Sequence, residues 1–329
     1  MTSNLQNQLE TSKVQTLNYK LYTNIQILES WCCSISMNQI KTLLIAGCSY
    51  KTLIFQFCDN PKLLVSLIEE TYIVSSISQK VQSNQVLIGN SNGTIKIFQK
   101  NGINNCRYLI KSKEHKGFIT QLIINKDEQL LISSSIDGKI KFWNSTQLIN
   151  CIQTIDCNLD GVLGISLNQS ENQLISCGKQ HKIVVMQKSN INQLWFISQE
   201  IQVQSYGYRL SFIQDNAFTY QPFFIEKLEI YQSNQENLLY NKINEVNVKK
   251  CYMDCLFPQI FIKNKSLLIN KMGNLIYIFQ IKDLTDIVQV QIIDFNTYNI
   301  YGAVSDDGDF LFTWDDNTDL ITIRKLEEV

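Results

Sequence analysis

The stretch "SSSIDGKIKFW", residues 133–143, decides the fold of this chain. In it, three serines and an isoleucine precede the pair Asp137-Gly138, and polar and apolar residues then alternate in the segment that ends at Trp143. An Asp-Gly pair flanked by alternating hydrophobic residues is a strong local signal for a β-hairpin. The stretch therefore predicts two antiparallel strands. The fold depends on whether this hairpin occurs once or is repeated.

The strand that follows the turn is repeated along the whole chain. Its pattern is apolar-x-apolar-large, and the large position falls at Gln56, Phe98, Trp143, Met186, Tyr231, Phe279 and Arg324. Successive copies are 42 to 48 residues apart. A period of about 40–45 residues with several strands per unit is typical of a β-propeller blade. Four strands per unit and seven units account for nearly the whole chain, which predicts an all-β fold, a single seven-bladed β-propeller of four-stranded blades.

The two ends of the chain are predicted to close the ring together. The last unit ends five residues after Arg324 and has room for only three strands. An open propeller would leave exposed strand edges, which native proteins avoid. We therefore expect a strand within residues 14–28 to complete blade seven beside residues 319–325. Residues 1–12 are polar and are predicted to be a flexible N-terminus, so that the propeller domain covers residues 13–329.

The third unit, residues 115–144, resembles a repeat of the WD-repeat β-propeller family. His115 stands at the histidine of that family's Gly-His pair, and Asp137 and Trp143 match its turn aspartate and third-strand tryptophan. Ser133 or Ser135 matches the second-strand serine. The resemblance implies a hydrogen-bonded structural tetrad of His115, Ser135, Asp137 and Trp143. The only other histidine is His181, so at most one blade can carry a complete tetrad.

The same resemblance implies where a partner would bind. Propellers of this family usually bind partners at the mouth, where the first strand of each blade begins. Phe118 takes that position, 25 residues before Trp143. The equivalent positions are Trp31, Ile73, Phe118, Gly161, Tyr206 and Asn299, and those predicted to bind a partner are Trp31, Ile73, Phe118, Tyr206 and Asn299. Three of them are aromatic, as interface anchors often are. The alternative is that these rings pack into neighbouring blades, and Tyr208, Tyr298 or Tyr301 could replace them if the register is shifted.

Composition excludes several classes of function. The net charge is −1, which gives no electrostatic reason to expect binding to nucleic acid. No apolar stretch is long enough to cross a membrane, so no membrane insertion is expected. The N-terminus lacks the apolar segment of a signal peptide, so the protein is predicted to be intracellular, cytoplasmic or nuclear. Most of the ten cysteines should then be free thiols. Cys251 and Cys255 have no neighbouring Cys or His pair to complete a metal site.

Two short motifs suggest chemistry but are better explained as turns. "GNSNG", residues 89–93, fits the nucleophile-elbow pattern, yet it lies between two strands rather than before a helix. "SDDGD", residues 305–309, resembles the start of a calcium loop but lacks its closing glutamate and flanking helices. The sequence thus predicts no catalytic residues, metal, cofactor or small-molecule substrate.

The function predicted from the sequence is a non-catalytic protein-binding scaffold, a subunit of a larger intracellular complex. One alternative is a reader of a short peptide or modified residue that uses the aromatic mouth as its pocket. An enzyme with a site in the propeller channel is a third possibility, because that fold encloses a channel, although no convergent polar groups are identifiable.

Overall fold

The computed structural model describes residues 17–27, 31–68, 72–80, 82–99, 108–145, 151–234, 238–249 and 257–328. These residues form 28 strands in seven four-stranded antiparallel sheets, which are the blades of a ring. The predicted seven-bladed all-β fold is confirmed. The predicted flexible segment 1–12 lies outside the described residues.

The first strand along the chain, β1 (Leu17–Gln26), belongs to the last blade, and the next twelve strands form blades one to three. Blade one contains β2 (Cys32–Met37), β3 (Leu43–Cys48), β4 (Lys51–Gln56) and β5 (Lys62–Ile68). Blade two contains β6 (Val74–Lys80), β7 (Gln85–Asn90), β8 (Thr94–Gln99) and β9 (Tyr108–Lys113). Blade three contains β10 (Ile119–Ile124), β11 (Leu130–Ser135), β12 (Lys139–Asn144) and β13 (Cys151–Asp156).

The remaining strands form blades four to seven. Blade four contains β14 (Val162–Leu167), β15 (Gln173–Gly178), β16 (Lys182–Lys188) and β17 (Trp195–Gln202). Blade five contains β18 (Gly207–Gln214), β19 (Ala217–Pro222), β20 (Lys227–Ser233) and β21 (Tyr240–Asn247). Blade six contains β22 (Ile260–Ile262), a 3-10 turn (Lys263–Lys265), β23 (Leu267–Met272), β24 (Leu275–Ile281) and β25 (Ile287–Asp294). Blade seven contains β26 (Ile300–Val304), β27 (Phe310–Asp315), β28 (Leu320–Glu328) and β1.

The ring is closed by the N-terminal strand, as predicted. β1 pairs antiparallel with β28, from Leu17 opposite Glu328 to Gln26 opposite Leu320. Tyr19 and Ile25 are buried, and the Tyr19 hydroxyl donates a 2.7 Å hydrogen bond to the Gly308 carbonyl. The closure therefore combines a strand ladder with a buried apolar face.

The repeated large position lies on the third strand of every blade, with one correction. Trp143 stands opposite Leu131, and in blade one the residue opposite the equivalent Leu44 is Phe55, not Gln56. Phe55 is buried, whereas Gln56 is exposed. The apolar-x-apolar pattern of blade one was therefore aligned one residue too late. The corrected spacing to Phe98 is 43 residues, which makes the period more even.

Glutamine clamps join the outer strands of neighbouring blades. At three junctions a glutamine on the fourth strand of one blade hydrogen-bonds both the N–H and the C=O of a buried aromatic residue on the fourth strand of the next. The pairs are Gln153 with Trp195, Gln199 with Tyr240, and Gln291 with Tyr19. The N–H···Oε1 distances are 2.7–2.8 Å. The clamps therefore join blades three and four, four and five, and six and seven.

Candidate functional site at the propeller mouth

Blade three carries a continuous hydrogen-bonded chain of four side chains. The Trp143 indole N–H donates to Ser133 Oγ at 2.9 Å, and Ser133 Oγ lies 2.8 Å from His115 Nε2. His115 Nδ1 lies 2.9 Å from Asp137 Oδ2. Because Ser133 accepts from the indole, its own hydroxyl can donate to Nε2, which assigns the ring proton of a neutral His115 to Nδ1. The four groups are then all satisfied.

The serine of this chain is Ser133, and the choice of Ser135 was wrong. Both serines lie on the same side of β11, but Ser135 is its last residue. Its hydroxyl instead accepts the Asp137 N–H at 3.1 Å, inside the turn. Trp143 pairs with Leu131, so the indole reaches the next residue on that side, which is Ser133.

Asp137 connects the tetrad by hydrogen bonds to the loop that leads to Phe118 at the mouth. It accepts the Lys116 N–H at 2.8 Å and the Lys139 N–H at 3.1 Å. Burial alone would raise the pKa of Asp137, but the hydrogen bonds from His115 and from the Lys116 N–H outweigh it and lower the pKa to about 2. The ionised carboxylate therefore fixes the two residues that immediately precede Gly117 and Phe118.

A glycine of the second blade packs against the same loop. Gly93 has φ +82°, and a Cβ on it would lie 2.2 Å from the His115 carbonyl oxygen. Only glycine fits both that backbone conformation and that close approach. Gly93 belongs to "GNSNG", which forms the turn between β7 and β8, as predicted. "SDDGD" likewise forms the turn between β26 and β27, where Lys41 contacts Asp307 and Asp309.

The structure places four of the predicted mouth residues in equivalent positions. Each directly precedes a first strand, and its carbonyl accepts a hydrogen bond from the residue that follows the second strand of its blade. The pairs are Trp31 with Ser49, Ile73 with Ser91, Phe118 with Ile136, and Tyr206 with Phe223, at 2.7–2.9 Å. Their role in binding a partner stays a prediction. These residues and their blade-seven counterpart, Asn299, are called the mouth below.

Asn299 lies at the mouth, but its side chain is hydrogen-bonded to a residue of its own blade. It directly precedes β26, and its side-chain amide donates to Asp316 Oδ2 at 2.7 Å. The adjacent Tyr298 is 41% exposed. Tyr298 is therefore the better candidate for a contact residue in blade seven.

The aromatic residues of the mouth are packed on one side and open on the other. Trp31 is 40% exposed, and its ring centroid lies 6.0 Å from that of the buried Trp314. Tyr206 is half-buried, with its ring 5.0 Å from Phe223, and burial raises the pKa of its hydroxyl. The rings thus contact neighbouring side chains and still present a surface to solvent, and whether they bind a partner stays a prediction.

Further exposed apolar side chains lie at the same end of the ring. They follow the second strands or immediately precede the mouth residues, and they are Tyr50, Tyr72, Ile136, Phe224 and Tyr298. Sequence reasoning identified only Tyr298 among them. The signal that could have found the others is the turn after each second strand, which must lie beside the start of the first strand in an antiparallel blade.

The hydroxyl groups that line the central channel near the mouth connect one blade to the next. Each donates to the carbonyl of the first residue of the next blade's innermost strand, at 2.6–3.1 Å. The pairs are Ser34 with Val74, Ser75 with Ile119, and Thr120 with Val162.

Burial raises the pKa of the Cys157 and Cys177 thiols to about 12, so both are protonated at neutral pH. The described part of the chain contains no group of three residues that could hold a metal ion. It also contains no helix long and apolar enough to cross a membrane.

The comparisons agree with this architecture. The family model "WD domain, G-beta repeat" matches residues 106–144, the region of the tetrad. The chain is thus a seven-bladed β-propeller in which the region of blade three is similar to a WD repeat. Over the whole ring, a chain of a crystal structure of the Mitotic Checkpoint Complex superposes with a TM-score of 0.75 at 14% identity, covering 99% of this chain and 97% of that one. That likeness concerns the fold.

Two curated relatives match parts of the chain. The tRNA (guanine-N(7)-)-methyltransferase non-catalytic subunit wdr4 of Dictyostelium discoideum is 27% identical over 132 residues, 39% of this chain and 28% of that protein. Pre-mRNA-processing factor 19 of Bos taurus is 26% identical over 94 residues, 29% of this chain and 18% of that protein. The matched region thus spans less than a third of either relative.

Proposed function

We propose that this protein is a non-catalytic scaffold that binds a partner protein at the mouth, as a subunit of a larger intracellular complex. The observation that carries the proposal is the equivalent placement of Trp31, Phe118 and Tyr206 at the start of three first strands. Trp and Tyr that are partly exposed on a rigid scaffold are typical anchors of protein interfaces.

The surroundings of these anchors support a protein partner. Exposed apolar side chains at the same end, such as Tyr72 and Phe224, extend the surface beyond a single pocket. The relative wdr4 is named a non-catalytic subunit, and the structural neighbour is part of a complex. Channel hydroxyls engaged in blade-to-blade hydrogen bonds, such as Ser75 and Thr120, also favour a structural role for the channel over a catalytic one.

The experiment is affinity purification from the native cell with two matched double variants. Trp31→Ala with Phe118→Ala should abolish co-purification of the partner while the protein stays folded. The control, Leu63→Ala with Ile152→Ala, removes two exposed apolar side chains from outer strands and should leave co-purification intact. Retained binding in the folded mouth variant would contradict the proposal.

A reader of short peptides is the second candidate, favoured by the aromatic cluster beside blade five. Tyr206, Tyr208 and Phe223 lie within 5.0–6.1 Å of one another by ring centroids. A reader would bind an isolated peptide of its partner with nearly full affinity. A scaffold would require the folded partner, so peptide and whole-protein titrations distinguish the two.

A further inference from the structure

Two buried cysteines stand directly opposite each other in blade one. Cys32 is the first residue of β2 and Cys48 is the last residue of β3, and the two residues are partners in the antiparallel ladder. Both side chains are completely buried and belong to one apolar cluster, which also contains Trp314 of blade seven. Directly opposed residues of an antiparallel pair lie on the same face of the sheet, so the two thiols are neighbours.

The adjacent hydrogen bond shows how close the two backbones are. The Ser49 N–H donates to the Trp31 carbonyl at 2.9 Å, one step toward the mouth, so Trp31 and Ser49 are a hydrogen-bonded pair. Hydrogen-bonded and non-hydrogen-bonded pairs alternate along an antiparallel ladder, which places the Cα atoms of Cys32 and Cys48 about 4.5 Å apart. A disulfide joins residues whose Cα atoms are about 4.4–6.8 Å apart. The two cysteines therefore lie at a distance that a disulfide can span.

A β-bulge beside the pair allows the strands to adjust. The ladder resumes with Ser34 opposite Gly47, so Cys33 is the extra residue of β2. The Cβ atoms of opposed residues lie about 4.5–5.5 Å apart and a disulfide needs about 3.5–4.5 Å, so the strands must approach each other. A bulge leaves one residue unpaired and lets its strand bend, which makes this approach feasible. A disulfide that carries some strain is also more easily reduced, which favours a reversible bond.

Other blades fill the same position with residues that cannot be cross-linked. The equivalent pairs are Val74 with Asn90, Ile119 with Ser135, and Val162 with Gly178. An apolar residue on the first strand and a polar residue or glycine on the second thus satisfy the fold at this position. Blade one instead has a thiol on both strands, which packing in the repeat does not require.

The central channel gives a small oxidant access to this pair. Cys33 is half-buried and lines the channel together with Ser75 and Thr120. Hydrogen peroxide is small and uncharged, so it can enter a channel from which larger oxidants are excluded. The thiolate is the reactive form of a cysteine. Burial and, next, the neighbouring Cys48 thiol raise the pKa of Cys32 well above its usual value, so we expect its oxidation to be slow at neutral pH.

We propose that Cys32 and Cys48 form a reversible cross-strand disulfide when the protein meets a peroxide. The sulfur of one cysteine attacks a peroxide oxygen and the O–O bond breaks, which gives a sulfenic acid and a water molecule. The opposed sulfur then attacks the sulfenic sulfur, and the S–S bond forms as the hydroxyl leaves with the second thiol proton as water. Two thiols are thus oxidised and one peroxide is reduced to two waters. The pair is independent of the proposed scaffold function.

The test is peptide mapping of the full-length protein after treatment with hydrogen peroxide, with the remaining thiols alkylated and without reduction. Trypsin cleaves between the two strands, after Lys41, and leaves Cys48 on the peptide 42–51, apart from the peptide 21–41. We expect these two peptides as one cross-linked species, lighter than their sum by two hydrogens, and dithiothreitol should separate them. The oxidised protein should also unfold at a higher urea concentration than the reduced protein, because the cross-link restricts the unfolded chain.

Three variants assign the cross-link to its cysteines. Cys32→Val introduces the residue that blades two and four have at this position, and Cys48→Ser introduces the residue of blade three. Both variants should therefore fold, and both should lose the cross-link and the oxidation-dependent rise in the urea midpoint. The control is Cys33→Ser, which changes the adjacent cysteine of the same peptide and should keep both.

Three results would overturn the proposal. The first is the absence of the cross-link in folded protein treated with peroxide. The second is a cross-link that persists in Cys32→Val, because Cys33 would then be the partner of Cys48. The third is a cross-link that forms only in urea, because the unfolded chain rather than the pairing of β2 with β3 would then bring the thiols together.

Discussion

Removal of the N-terminal strand should unfold the propeller. The truncation to residues 29–329 deletes β1, and with it the buried side chains of Tyr19, Ile25 and Ile27. Each such burial stabilises a protein by about 1.5–3 kcal/mol, so the three together contribute about 5–9 kcal/mol. The total stability of a domain is about 5–15 kcal/mol. The truncated chain would also expose the edge of β28, and we expect it not to fold cooperatively.

Urea unfolding followed by tryptophan fluorescence measures this effect, because Trp143, Trp195 and Trp314 are all buried. Deletion of residues 1–12 should leave the transition midpoint unchanged, since they are polar and precede the strand that closes the ring. A synthetic peptide of residues 13–28, added to the 29–329 fragment, should restore a cooperative transition. On the same strand, Ile25→Ala should cost about 2–4 kcal/mol and the exposed Leu21→Ala less than about 0.5 kcal/mol. A cooperatively folded 29–329 fragment with unchanged stability would refute the closure.

Three further perturbations test the polar contacts that organise the blades. His115→Ala should destabilise the protein by about 1–3 kcal/mol in urea, because it removes a hydrogen-bond partner of both Asp137 and Ser133. The exposed His181→Ala should be nearly neutral, and equal midpoints for the two variants would contradict the tetrad. The pKa of Asp137 in the folded protein is lowered to about 2, so its contribution of about 1–2 kcal/mol to the free energy of unfolding should be fully present above about pH 5 and lost as the pH falls toward 2. In Asp137→Asn this pH-dependent contribution should vanish. Identical profiles of stability against pH for the variant and the wild type would contradict the prediction. Gln199→Ala should cost about 1–3 kcal/mol by releasing both backbone groups of Tyr240, and amide exchange at Tyr240 that stays as slow as in the wild type would show that the clamp is dispensable.

The period and the turn chemistry predicted the ring, its blade count and its closure, because those features depend on spacing alone. Details that depend on strand register were less predictable. The repeated large position of blade one was predicted at Gln56, one residue after the true position, Phe55, because two apolar patterns overlap in "TLIFQF". Ser135 was preferred to Ser133 because both lie on one side of β11, and only the pairing of Trp143 separates them.

The glutamine clamps and the exposed rim of the mouth could not be predicted from one sequence. Gln153 and Gln199 resemble any exposed strand residue, since their partners belong to the next blade and lie about 41–42 residues away. Phe224 has positive φ in the turn after β19, where a sequence pattern would favour glycine or asparagine. Such features depend on how blades meet, which requires the assembled ring.

The most direct test of the central claim is hydrogen–deuterium exchange of the protein alone and in the complex purified from its native cell. We predict slowed exchange in the segments that begin the first strands and follow the second strands, including Trp31, Phe118, Ile136 and Tyr206. The outer strands β13, β17 and β21 should exchange equally in both samples. Protection confined to those outer strands, with the mouth segments unchanged, would contradict the claim that partners bind at the mouth.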